Sequence, residues 1–266
     1  MEETVREYVA ETGEPTEAEH RRERSTAARS MRAIFEPRAV VVVGASRQPN
    51  TIGAALLHNL KRCGFRGPIY PINPKAVEIE GLPAYSSVGA VGAPVDLAYI
   101  LVPPGQVEAA VRECADVGAR AVIVITAGFG EVSEEGRKGE RALRDLVLSH
   151  GMRMVGPNCM GVINTHPDVS MNGTFVPVWP RAGRIGMLSQ SGALGYAILD
   201  KMQSMDLGVS TFISVGNKAD VSGNDLLAYW AEDPHTDVIM LYLESFGNPR
   251  KFGRVTPEVA RRKPIV

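Results

Sequence analysis

An α/β fold with a parallel, doubly wound sheet is predicted by three observations. Short β-branched runs such as Ala39-Val-Val-Val-Val43 lack polar alternation, as strands buried on both faces do. Helix-length stretches with apolar residues three and four apart follow the strands. Glycine or proline closes most elements, and the alternation breaks once, over residues 157–183, before it resumes. Regular strand–helix alternation implies right-handed crossovers and therefore parallel neighbours.

Residues 1–30 stand apart, rich in Glu and Arg with Tyr8 as the only aromatic. Clusters such as Arg21-Arg22-Glu23-Arg24 suit a solvated helix, a linker or a tail. Val5, Tyr8 and Val9 offer a short apolar face but no core. From Met31 the pattern predicts strand 39–43, a glycine-bounded loop from Gly44 to Gly53, and a helix ending near Gly64. Strand 68–72 leads into Asn73-Pro74-Lys75, and strand 96–102 stops at Pro103-Pro104. Helix 105–118, strand 121–125, helix 133–150 and strand 153–156 complete the first unit, residues 31–157, with Gly118 and Gly151 as helix stops. Residues 158–183 read as a junction. The second unit, 184–266, alternates strand 184–188, a helix to about 205, strand 209–215, helix 224–231, strand 237–243 and helix 249–262. Lys263-Pro-Ile-Val266 begins one more strand, so this unit is expected to be incomplete.

Composition narrows the function classes. Apolar residues make up 44% and charged residues 22%, as in an ordinary globular protein. A net charge of −1 argues against nucleic acid or an anionic membrane surface as partner, so any phosphate chemistry must be local. Cys63, Cys114 and Cys159 are far apart with no CxxC, which suits reduced thiols in a cytoplasmic protein, and no metal site is expected. No apolar run is long enough to span a membrane, and the polar N-terminus is no signal peptide.

In a doubly wound sheet, ligands bind beyond the carboxyl ends of the strands. Those ends carry Gly44-Ala45-Ser46 with Gly53, Asn73 and Lys75, Val102-Pro103, Thr126-Ala127-Gly128, and Asn158. The loop after Val43 is not the G-x-G-x-x-G dinucleotide fingerprint, and strand two is followed by Lys75 rather than an acid. This disfavours an NAD(P)-dependent oxidoreductase and suits a ligand with a phosphate on its ribose. In the second unit, strand 184–188 meets Ser189-Gln190-Ser191-Gly192 and a helix pattern follows. That turn is either a serine helix cap or an anion site built from free N–H groups and the helix dipole.

Val-Gly-Ala-Ser at 43–46, Asn-Pro-Lys at 73–75, Val-Pro at 102–103, Thr-Ala-Gly at 126–128, Val-Gly-Pro-Asn-Cys-Met-Gly at 155–161, Ser-Gln-Ser-Gly at 189–192 and Leu-Glu-Ser-Phe at 243–246 follow one another in order. This set, spread over residues 31–266, resembles the NDP-forming acyl-CoA synthetases, which include ADP-forming acetate–CoA ligase and the succinyl-CoA ligase α subunit. The resemblance implies a Rossmann-like CoA-binding domain followed by a flavodoxin-like, succinyl-CoA synthetase-like domain. It implies that Gly44, Ala45, Ser46 and Gly53 hold the CoA phosphates and that Lys75, beside Asn73, meets the 3′-phosphate. Val102, Pro103, Thr126, Ala127 and Gly128 would line the adenine and pantetheine path, with Asn158 near the thiol. Ser189, Ser191 and Gly192 would form the helix N-terminus that receives a phosphohistidine, and Glu244 would orient that histidine.

The family's phosphorylated histidine lies downstream of a strand like Lys263-Pro-Ile-Val266. None of His20, His58, His150, His166 and His235 stands in its setting. The resemblance therefore implies that histidine, and an ATP-grasp domain or subunit that binds ATP or ADP with Mg²⁺, outside this chain. CoA or acyl-CoA and an oligomeric assembly are the other expected partners. The charged segment before Met31 also resembles the linker of proteins in which a GNAT-type acetyltransferase precedes this region. That opens an alternative, a CoA- or acetyl-CoA-sensing regulatory domain of a protein lysine acetyltransferase without ligase activity.

Overall fold

The computed structural model describes residues 17–266, so the expected face at Val5, Tyr8 and Val9 lies outside the described residues. Helix α1 (Glu17–Phe35) precedes a five-stranded sheet of β1 (Val40–Val43), β2 (Ile69–Ile72), β5 (Leu97–Ile100), β6 (Ala121–Val124) and β7 (Arg153–Val155). The spatial order is β2-β1-β5-β6-β7, with every pairing parallel. Two short strands, β3 (Glu78–Ile79) and β4 (Leu82–Pro83), form a separate antiparallel pair. The parallel sheet expected from the valine run is present, and its central strands are buried on both faces. Val40 and Val42 join the layer of α1 and α2 (Ile52–Arg62). Val41 and Val43 face α3 (Pro104–Asp116) and α4 (Glu134–Ser149). This alternation of side chains is the period-two geometry of a strand.

The second sheet runs β12 (Val238–Tyr242), β10 (Ala182–Ser189), β11 (Val209–Ser214), β8 (Gly161–Asn164), β9 (Met171–Thr174). Its helices are α5 (Gly192–Ser204), α6 (Gly223–Glu232) and α7 (Pro249–Ala260). β10 pairs in parallel with β11 and β12, whereas β8 and β9 add an antiparallel pair. The stretch read as a junction thus supplies two fully buried strands. Both are four residues long and separated by turn-forming residues, so neither is long enough to show a period. Ile265 bridges Ile239, which begins a further strand.

Helix α1 also differs from a solvated linker. Ala28, Met31, Ile34 and Phe35 are buried, three and four residues apart on one face. Phe35 stacks on Tyr229 of α6 with ring centroids 4.7 Å apart. One apolar core therefore runs from the first sheet through α1 into the second. Polar ties reinforce it. Asn164 Nδ2 donates to Phe35 O at 2.8 Å, and Asn59 Nδ2 donates to Thr174 O at 2.8 Å and Val176 O at 2.9 Å. The carboxyl ends of both sheets are thereby held around one shared space.

Candidate active site between the two sheets

The β1 loop begins at Gly44, with φ 95°. A Cβ here would sit 2.9 Å from the Leu101 carbonyl carbon, so glycine is required both for conformation and for space. Gly53, in the first turn of α2, packs so closely that a Cβ would overlap the Gly44 carbonyl oxygen. Asn73 stitches the β1 and β2 loops together: its Nδ2 donates to Ala45 O at 2.8 Å and its Oδ1 accepts from Lys75 N at 2.9 Å. This is the local amide turn that asparagine favours. Lys75 is exposed, and Arg47 Nη2 donates to its carbonyl at 3.5 Å, which puts a second cation at the same rim. Gly44, Ala45, Ser46, Asn73, Lys75, Val102 and Pro103 line one cavity of about 500 Å³.

A second cavity, of about 710 Å³, lies between the sheets. Leu101 lines both cavities, so the two are neighbours. From the first sheet come Thr126, Ala127 and Asn158; from the second come Ser191, Gly192 and Glu244. Thr126 Oγ1 donates to Val102 O at 2.7 Å, which ties the ends of β5 and β6. Asn158, at φ 56°, donates through Nδ2 to Asn217 Oδ1 at 3.3 Å, across the boundary between the sheets.

The helix cap is Ser191, whose Oγ accepts from Leu194 N at 3.3 Å. The first N–H groups of a helix have no intrahelical partner. Among the described residues nothing accepts from Gly192 N or Ala193 N, and both residues line the cavity. Ser189 is different. It is fully buried, its hydroxyl donates to Ser191 O at 2.6 Å, and it shapes the turn without reaching the cavity. Glu244 is exposed and lines the same cavity as Gly192; among the described residues no hydrogen-bond donor engages its carboxylate, and the nearby charge is that of Lys218.

Three residues passed over in the sequence complete the site. Glu131 accepts from Gly128 N at 2.5 Å, from Phe129 N at 3.2 Å and from Asn217 Nδ2 at 2.5 Å. Gly128 thus turns its N–H toward Glu131 and does not itself line the cavity. Burial works to raise the Glu131 pKa, but the Asn217 amide and the backbone donors outweigh it and hold the carboxyl below its usual range. Gln190 and Lys218 brace the Glu244 segment, and only spatial proximity reveals them. Cys159 borders the cavity, and burial pushes its thiol pKa up to about 12, which disfavours the thiolate. Among the described residues no histidine lines either cavity.

Residues 38–165 match the CoA binding domain family, and residues 182–266 match the succinyl-CoA ligase like flavodoxin domain family. Acetate–CoA ligase [ADP-forming] I of Archaeoglobus fulgidus is 45% identical over 236 residues, covering 89% of this chain and 34% of its own length. The acetate–CoA ligase [ADP-forming] II subunit alpha of Pyrococcus furiosus is 41% identical, covering 88% of this chain and 50% of its own. Among solved structures, the dinucleotide-forming acetyl-coenzyme A synthetase 1 of Ca. Korarchaeum cryptofilum, in complex with phosphate and ADP, superposes with a TM-score of 0.85. It is 42% identical and covers 88% of this chain and 50% of that one. The chain therefore spans between a third and a half of the length of these relatives.

Proposed function

We propose that the two neighbouring cavities of this member of the NDP-forming acyl-CoA synthetase family are the CoA-binding and phosphoryl-receiving half of an ADP-forming acetate– or acyl–CoA ligase. The observation that carries this reading is the pair of strand-end cavities that share Leu101, the second lined by the unspent N–H groups of Gly192 and Ala193 and by Glu244. Gly44, Ala45 and Ser46 present the backbone to the CoA phosphates, and Gly53 brings the N-terminus of α2 up behind them. Lys75, with Asn73 fixing its loop, meets the 3′-phosphate. Val102, Pro103, Thr126 and Ala127 line the path of the pantetheine arm, with Gly128 holding the loop behind them, and Asn158 stands beside the thiol end.

In the direction of ATP formation, phosphate attacks the acyl carbonyl, the thioester bond breaks and CoA leaves as the thiol. The acyl phosphate then gives its phosphoryl group to a histidine nitrogen and releases the acid. The Gly192 and Ala193 N–H groups would meet the phosphohistidine, with Ser191 capping the same turn and Ser189 bracing it. Preorganised donors of this kind stabilise transferring phosphoryl oxygens without reorganisation. Glu244 would accept from the imidazole Nδ1–H and fix the tautomer that attacks through the other nitrogen. The histidine is supplied from outside these residues. ATP or ADP with Mg²⁺ belongs to an ATP-grasp domain or subunit, and the working unit is an oligomer in the reducing cytoplasm, which suits three free cysteines. The acetyltransferase-linked regulatory alternative draws no support from the relatives. The test is ATP formation from acetyl-CoA or a larger acyl-CoA, ADP and phosphate by the full-length protein. Activity that Glu244→Gln sharply lowers supports the reading, whereas CoA binding with no ATP formed from any acyl-CoA contradicts it.

A further inference from the structure

Lys218 is a cation that the proposed chemistry does not use. It follows β11 in the left-handed region, at φ 59°, where a residue with a side chain is strained. Its ammonium donates to Ser245 O, to Ser245 Oγ at 2.7 Å and to Gln190 Oε1 at 3.3 Å. An ammonium has three donors, so all are spent within the protein and none is left for phosphate or nucleotide. Gln190 Oε1 also accepts from Glu244 N at 3.0 Å and Ser245 N at 3.2 Å, and Gln190 N donates to Tyr242 O at 3.0 Å. The turn that opens α5 and the segment that carries Glu244 are thus closed by one clamp. Its side chains come from the ends of β10 and β11 and its backbone from the end of β12. A partly desolvated ammonium is costly unless its environment answers it. Here the answer is a set of acceptors on the loop whose next residue back is Glu244.

We propose that Lys218, acting through Gln190 and Ser245, is the positioning residue that sets the Glu244 carboxylate opposite the N-terminus of α5. The proposal rests on the reading of Glu244 as the carboxylate that orients the incoming histidine. Removing the ammonium releases the Ser245 carbonyl and hydroxyl and, among the described residues, leaves the Glu244–Ser245 segment tied by the Gln190 side chain, so the Glu244 carboxylate is held less firmly while the CoA loops of the first sheet are untouched.

The experiment is rapid-quench formation of phosphohistidine from ATP in the full-length ligase, with CoA affinity measured in parallel. The variants are Lys218→Met, Glu244→Gln and the double substitution. Lys218→Met is expected to slow phosphohistidine formation by roughly ten- to a hundredfold, as misplacing a group by about an ångström does, with CoA affinity unchanged. In the Glu244→Gln background it is expected to add nothing, because both changes act on one interaction. A wild-type rate for Lys218→Met, or losses that multiply in the double variant, overturns the proposal while leaving the reading of Glu244 standing. A wild-type rate for Glu244→Gln removes that reading and the proposal with it. Should Lys218→Met fail to fold, Gln190→Ala cuts the same clamp and is read by the same non-additivity.

Discussion

Arg153 grips Asp220 through two parallel hydrogen bonds, Nε to Oδ2 at 2.9 Å and Nη2 to Oδ1 at 3.0 Å, across the boundary between the sheets. Its remaining nitrogen donates to Ser30 Oγ of α1 at 2.7 Å, and Met154 N adds a bond of 2.8 Å to Asp220 Oδ2. Burial lowers the Arg153 pKa, but Asp220 and Asp225 overcome this and leave it raised. Removing Asp220 leaves Arg153 with Asp225 alone, 3.5 Å from Nη2. Asp220→Ala should therefore destabilise the fold by about 1–3 kcal/mol, read by denaturant unfolding. Pairing it with Arg153→Met should recover part of the loss, because the half-paired charge goes too.

Gly44 tests the packing of the CoA loop. Gly44→Ala places a Cβ against the Leu101 carbonyl in a conformation that alanine resists. The expected outcome is a stability loss of roughly 2 kcal/mol together with weakened CoA binding. Thermal melting and a CoA titration check the two parts separately.

Lys75 tests ligand identity. If its ammonium meets the 3′-phosphate, Lys75→Ala should weaken CoA by about tenfold, as loss of one charged hydrogen bond does. It should leave dephospho-CoA unaffected. Equal weakening of both ligands would move Lys75 away from that phosphate.

Glu131 gives a pH dependence whose sign is fixed. Its folded pKa lies below the usual value of 4.5: partial desolvation of this exposed side chain pushes upward, but Asn217 and the Gly128 and Phe129 N–H groups favour the carboxylate and prevail. The stability it contributes is present above 4.5 and is lost as pH falls through the depressed folded value. Asn217→Ala removes one donor, so the acid-side slope of stability from 4.5 downward should flatten relative to wild type. Urea midpoints measured across that range check it.

Much of this was legible in the sequence, and the exceptions share a cause. Four successive valines announce β1, and the strand-end loops line two neighbouring cavities, Gly44, Asn73 and Val102 in one and Thr126 and Asn158 in the other. Ser191 is the cap, as the serine-rich turn allowed. Ser189 carries the same side chain, yet its hydroxyl is consumed within the turn, a distinction set by two residues of backbone geometry. The buried face of α1 was hidden because Ala28, Met31 and Phe35 straddle the composition change that marks the charged segment. β8 and β9 pair with each other but were too short to show a period, and the strand that joins them to the sheet, β11, lies far along the chain. The bracing roles of Gln190, Lys218 and Glu131 could not be read for a related reason. Gln190 meets Glu244 from 54 residues away, and Asn217 meets Glu131 from 86, and no local pattern encodes such pairings.

The most direct test is a structure of the full-length protein bound to CoA. The account predicts the 3′-phosphate beside Lys75, the diphosphate against the Gly44–Ser46 backbone, and the pantetheine arm passing Leu101 to bring the thiol beside Asn158, facing Gly192 and Glu244. CoA bound elsewhere, with the cavities from Gly44 to Asn158 empty, would contradict it.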